Sequence, residues 1–275
     1  MERPASGDGG LVSIHLVGGG IASQSAEVYA LFVAEAATRA ARVGRDVPRV
    51  AVLLVVDDAL DGFAENSSDD GFDDDSSRAS SAFADVLAAV GRCETQVTTI
   101  AAGSTFDTTV LSDIDALLVG GGLTPAYFDA VVPLIDQVRL LVGDGLPYLG
   151  FSAGAMIAAD TAILGGYRIG GVEVCPADAG EDLDEVTLAQ GFGLVDLAID
   201  VHAAQWGTLT RLIAATEAGM VTGGVAIDEN TALVVGDGAL AVVGTGSVWR
   251  VEPQLDDDTG QIVGVSVGTL GVGVA

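Results

Sequence analysis

The sequence predicts an α/β fold of three layers, a mostly parallel sheet with helices on both faces, finished by a C-terminal β-hairpin. Three observations lead there. Short Val/Ile/Leu runs, such as residues 50–56, have the unbroken apolar character of strands buried on both faces. Ala-rich segments with helical spacing separate these runs, the alternation expected of strand–helix–strand units. Glycine clusters follow several of the runs, where the chain must turn sharply. At 275 residues the chain is read as one domain, residues 1–275, with residues 1–9 a flexible lead-in.

The elements follow in order. Residues 11–17 read as a strand, Gly18, Gly19 and Gly20 as a tight turn, and residues 24–43 as a helix. The glycines lack the G-x-G-x-x-G fingerprint, because position 23 is Ser, so no nucleotide cofactor is expected. Residues 50–56 form a strand, and residues 57–81, dense in Asp, Ser and Gly, form a long acidic loop. Its DGFDDD stretch lacks the spacing and terminal Glu of a calcium loop, so it reads as a solvated face without metal. A helix over 81–90, strands over 96–101 and 114–119, and a glycine loop at 120–122 come next. Thr124 and Pro125 look like the cap and first turn of a helix reaching residue 142. Beyond residue 160 come short strands or turns over 165–176, an acidic loop at 180–184 and a strand over 197–201. A helix over 205–218 and a strand over 223–227 precede a hairpin of 231–235 and 240–243 across Gly236, Asp237 and Gly238. A last strand begins at 262.

A formal net charge of −28 makes nucleic acid and anionic membranes improbable partners, since both are held through basic patches. Only Cys93 and Cys175 occur, far apart, which excludes a disulfide framework or a zinc cluster and suggests buried thiols. The N-terminus lacks a charged region leading into an apolar one, so a soluble cytoplasmic protein is expected.

The chemistry centres on residues 146–159. There an apolar run meets Gly150, Phe151, Ser152, Ala153 and Gly154, the strand–turn–helix of a nucleophile elbow. Glycines on either side leave room for Ser152 at the apex, and the free amide of Ala153 at a helix start would favour an oxyanion. Gly121 and Gly122 stand at another strand's carboxyl end, where α/β sheets bind ligands, and can present bare amides to the same centre. A serine nucleophile needs a base, and only His15 and His202 are available. His15 lies inside an apolar strand and reads as a core residue; His202 follows a strand end and is the candidate base. Asp200 and Glu229 are both candidates for the carboxylate that orients it. The order Ser, His, Glu differs from the Ser, Asp/Glu, His order of α/β-hydrolases.

Four stretches, GFSAGA at 150–155, the glycine loop at 120–122, DVH at 200–202 and AIDENTAL at 226–233, resemble the peptidase E and cyanophycinase family of serine peptidases. That family's fold is similar to class I glutamine amidotransferases, with Ser in place of Cys. The resemblance implies Ser152 as nucleophile, His202 as base, Glu229 as third member, and an oxyanion hole from the backbone of Gly121 or Gly122 and Ala153. Family members often carry arginines where this chain has Trp206 and Thr208, and a polar residue where it has Leu123, so a preference for aspartyl groups is not expected. Leu123, Asp200, Trp206 and Arg211 are the expected substrate contacts, with Arg211 either holding a carboxylate or pairing with a surface acid. The resulting expectation is a serine peptidase acting on peptide or isopeptide bonds of small peptides through an acyl-enzyme, without cofactor or metal, in monomeric or homodimeric form. Its rivals are an acyl transferase or esterase with the same triad and a catalytically silent binding relative.

Overall fold

The computed structural model describes residues 13–20, 26–56, 74–236 and 240–271. The chain runs β1 (Ile14–Val17), α1 (Ala26–Arg42), β2 (Arg49–Val56), α2 (Asp74–Val90), β3 (Glu94–Ala101), β4 (Ala116–Val119), α3 (Thr124–Val131), α4 (Ile135–Gly143), β5 (Tyr148–Phe151) and α5 (Ala153–Met156). It continues through β6 (Thr161–Gly165), β7 (Arg168–Ile169), β8 (Val172–Glu173), β9 (Thr187–Gln190), β10 (Ala198–Val201), α6 (Leu209–Glu217) and β11 (Gly224–Ile227). β12 (Thr231–Val235), β13 (Ala241–Gly244), β14 (Val248–Leu255) and β15 (Ile262–Leu270) complete it.

Seven strands make the main sheet, in the order β13-β12-β1-β5-β4-β2-β3. β1, β5, β4, β2 and β3 are parallel, and the β12–β13 hairpin adds to one edge antiparallel. Strand pleating sends alternate side chains to opposite faces. Val50, Val52 and Leu54 join one core with Val28, Tyr29, Phe32 and Val33 of α1 and Phe83 and Leu87 of α2. Ala51, Leu53 and Val55 join the other, with Tyr127 and Val131 of α3, Val138 of α4 and Met156 of α5. This is the three-layer α/β arrangement read from the apolar runs, with one addition. A second sheet of order β10-β11-β14-β15 shares the second core through Ile199, Val225 and Val251, so that face is covered by strands as well as helices.

The two sheets bring their strand ends together. β1 and β5 are in register with Val17 opposite Phe151, so Gly18 and Ser152 leave the main sheet side by side. In the second sheet Val201 is opposite Ile227, so His202 and Asp228 leave it side by side. The amide of His202 donates to the carbonyl of Gly18 at 3.0 Å, joining the ends of the two sheets.

Several expected boundaries are corrected. Residues 74–81, assigned to the acidic loop, are the first turns of α2; the rest of that loop, like residues 1–9 and the turn at 237–239, lies outside the described residues. The helix expected over 124–142 is broken by a 3₁₀ turn at Val132–Leu134, because Pro133 has no amide hydrogen to continue the ladder. Thr124 does not cap α3. Leu123 holds that position, and the amide of Thr124 donates to a Glu181 carboxylate oxygen at 2.8 Å. α6 begins at Leu209 rather than 205. Cys175 is buried as expected, whereas Cys93 is only half-buried; both are free. Among the described residues no helix is long and apolar enough to cross a membrane.

Candidate active site

β5 ends at Phe151, and the chain then reverses into α5 through Ser152, whose backbone sits at φ 51° and ψ −111°. A non-glycine residue at positive φ is strained and persists where the surroundings over-determine it. Here the Ser152 amide donates to Val17 at 2.9 Å and the amides of Ala155 and Met156 donate to its carbonyl. Glycine is required on both sides. A Cβ on Gly150 would lie 2.4 Å from the carbonyl oxygen of Gly154, and one on Gly154 would lie 2.3 Å from that of Val119. The helix after the elbow is a single turn, so its field on Ser152 comes from the first free amides rather than from a long macrodipole.

The Oγ of Ser152 lies 2.8 Å from Nε2 of His202, and Nδ1 of His202 lies 2.8 Å from Oε1 of Glu229. A carboxylate only accepts, so Nδ1 carries the hydrogen and the Nε2 lone pair faces the serine hydroxyl. Asp200, the other candidate for that carboxylate, makes no hydrogen bond to the ring. Both its oxygens are engaged by Arg211, from Nε to Oδ2 at 2.8 Å and from Nη2 to Oδ1 at 2.6 Å. Arg211, expected to face substrate, is 1% exposed, and its Nη1 donates to the carbonyls of Gly166 and Ala179. The pair is therefore internal: burial opposes the guanidinium charge, but Asp200 outweighs it and holds the pKa above the ordinary value. His15 is fully buried, with Nε2 3.0 Å from Glu35, in line with its reading as a core residue.

His202 is also at positive φ, 55°, and so is Asn230 next to Glu229, 54°. Burial favours the uncharged imidazole and lowers the His202 pKa below 6.5, while the hydrogen bond and charge of Glu229 work the other way. The backbone amide of Glu229 is held in turn by Gln205 Oε1 at 3.0 Å. Asp228 ties the same loop down by accepting from the amides of Ala204 and Ser247 and the indole of Trp249.

The glycine loop after β4 reaches the serine: a Cβ on Gly121 would lie 2.7 Å from Cβ of Ser152. Neither Gly121 nor Gly122 donates its amide to an acceptor among the described residues. Tyr127 donates its hydroxyl to the Gly121 carbonyl at 3.1 Å, and burial keeps that phenol protonated by raising its pKa to about 12. Leu123 is half-buried at the head of α3, and Thr208 is buried with its hydroxyl on the carbonyl of Val201. Trp206 is 44% exposed and stacks on His202. No group of three or more His, Cys, Asp or Glu among the described residues is placed to hold a metal.

One functional element escapes sequence reasoning. Gly18, Gly19 and Gly20, read as a tight turn, form the floor under the histidine. A Cβ on Gly19 would lie 2.1 Å from Cε1 of His202, and one on Gly20 would lie 2.7 Å from the Asn230 side chain. The signal in the sequence is three consecutive glycines at a strand's carboxyl end, the same feature that 120–122 carry.

The model of peptidase family S51 matches residues 75–243. A cyanophycinase from Synechococcus elongatus is 38% identical over 125 residues, covering 44% of this chain and 36% of that protein. One from Trichormus variabilis is 35% identical over 126 residues, covering 44% and 39%. The matches thus span little more than a third of the curated relatives' length. A candidate peptidase E of solved structure from Listeria monocytogenes aligns over 86% of this chain and all of its own, with 14% identity and a TM-score of 0.48.

Proposed function

The chain belongs to peptidase family S51, and we propose that it is a serine peptidase hydrolysing peptide or isopeptide bonds of small peptides through Ser152, His202 and Glu229. The observation that carries this reading is the unbroken pair of 2.8 Å contacts from the strained elbow serine through the imidazole to the carboxylate. His202 Nε2 takes the proton as Ser152 Oγ bonds to the substrate carbonyl carbon, and the amides of Gly121 or Gly122 and Ala153 receive the oxyanion. The imidazolium returns the proton to the leaving amine. The acyl-enzyme is then hydrolysed by a water whose proton His202 accepts.

Glu229 stabilises the imidazolium that forms in each step. Replacing it by Gln is expected to lower kcat by about 10²-fold or more, by analogy with loss of a triad carboxylate. The pH profile provides a second readout. In the wild type, kcat/KM should rise with pH through one ionisation below 6.5, because only neutral His202 can accept the proton and burial favours that form. Glu229 raises this pKa, so Glu229→Gln should shift the acid limb to still lower pH while reducing its plateau. A limb that stays in place or moves to higher pH would remove Glu229 from the triad.

The substrate is proposed to be neutral or basic at its first residue. With Arg211 spent on Asp200, that guanidinium is not available to a substrate carboxylate, and the net charge of −28 disfavours anionic peptides. Matched dipeptides differing only in Asp, Leu or Lys at the first position test the function and the preference together. Cleavage should be detected, with kcat/KM for Leu or Lys above that for Asp. A tenfold preference for Asp would show that another cation reads the substrate; no cleavage of any member, with no fluorophosphonate adduct on Ser152, would indicate a silent relative.

A further inference from the structure

The indole of Trp206 lies flat on the imidazole of His202, ring centroids 4.1 Å apart and planes within 10°. A short turn puts it there: His202 is at positive φ, the amide of Trp206 donates to the His202 carbonyl at 2.8 Å, and Gly207 follows at φ 73°. Gln205, in the same turn, holds the backbone of Glu229. One five-residue segment, His202 to Trp206, therefore carries the histidine, its stacking partner and the anchor of its carboxylate.

Hydrogen bonds at Nδ1 and Nε2 hold the ring by its edge, while the broad terminal torsion of histidine lets the plane swing about Cβ–Cγ as those bonds bend. A flat partner on one face limits that swing. The geometry has a second meaning. Two neutral aromatic rings are held in a parallel stack by modest attraction. A cation over an indole face is favourable, and indole is the best of the aromatic faces for it. The same stack gains attraction when imidazole becomes imidazolium, and a contact that strengthens as charge develops lowers the barrier rather than only the ground state.

We propose that Trp206 is a positioning residue for His202, holding the imidazole plane in line with Ser152 and Glu229 and stabilising the imidazolium formed when Ser152 gives up its proton. The proposal deepens, and rests on, the reading of His202 as the base.

The test uses Trp206→Leu and Trp206→Phe in the full chain, with His202→Gln as control. Trp206 is half exposed, so both variants should fold, which their melting temperatures check. On a neutral dipeptide, Trp206→Leu should lower kcat by about 3- to 30-fold, the range of one cation–π contact. KM should be unchanged, and Trp206→Phe should recover most of the loss. The chain has 2 tryptophans, so wild-type emission minus that of Trp206→Phe isolates Trp206. Imidazolium quenches indole more than imidazole does. The difference emission should accordingly fall on acidification in one step, and that step should be missing when Trp206 is isolated in the same way in a His202→Gln background. A change confined to KM would make Trp206 a substrate contact and overturn the proposal. Equal kcat in the Leu and Phe variants, or an emission step that survives His202→Gln, would also overturn it. Wild-type turnover by His202→Gln would bring down the base reading and this role together; an inactive His202→Gln beside a fully active Trp206→Leu would bring down this role alone.

Discussion

Replacing Ser152 by alanine is expected to lower kcat for any cleaved dipeptide by about 10³- to 10⁶-fold, the range seen when one member of a cooperating triad is lost. Melting should stay within about 2 °C of the wild type, since the change removes one oxygen and leaves the packing intact. The oxygen's hydrogen bond is to Nε2 of His202, so its loss strips no backbone partner from the elbow. The elbow itself is held by amide bonds from Ser152 to Val17 and from Gly154 to Gly120, which alanine preserves. His202→Ala should cost a similar factor, and the double variant scarcely more than either, because the proposed nucleophile and base would act in one step and their losses would not multiply. Turnover near the wild-type level in either single variant would eliminate the triad. A double loss equal to the product of the single losses would mean that the two residues act independently, which the 2.8 Å contact argues against.

The parts of this site that were legible in the sequence are those set by local chain geometry. Gly150 and Gly154 about Ser152 mark an elbow because only glycine tolerates the backbone oxygens that close on both positions. His202 was reachable by elimination, one of two histidines and the one at a strand end. Glu229 and Asp200 could not be separated, because Asp200, two residues before His202, looked as well placed as a carboxylate arriving from another strand. What decides between them is Arg211, which comes from α6 to occupy both Asp200 oxygens. The same limit hid Gly19 beneath His202, 183 positions away in the chain but in contact because β1 and β10 end at one place. The second sheet was illegible for a similar reason: β10 and β11 read as strands, but a strand of four residues carries no record of which sheet it joins. Pro133 is visible in the sequence, and its missing amide hydrogen is what divides the expected helix.

Arg211→Met is expected to be the most destabilising single change among those considered. The methionine keeps the length and apolar packing of the side chain but leaves the Asp200 carboxylate, 0% exposed, without its cation, and the carbonyls of Gly166 and Ala179 without the donor they share. Removing one partner of a buried pair costs about 3–5 kcal/mol, which for a chain of this size corresponds to a fall in melting temperature of roughly 6–20 °C. Equilibrium urea unfolding measures it directly. Arg211→Lys should recover little, since an ammonium cannot engage both carboxylate oxygens and two carbonyls in one plane. Asp200→Leu with Arg211→Met should recover more than half, because an apolar pair of similar volume removes the stranded charge. The pair's role then separates from that of a substrate contact by kinetics. If Arg211 serves only to fasten α6 and the loop over 166–179 to β10, each folded molecule of the double variant should retain KM for every peptide tested. A KM that rises selectively for peptides with a carboxylate side chain would return Arg211 to the substrate site, and a destabilisation under about 1 kcal/mol in the single variant would show that Asp200 is not held as a charge at all.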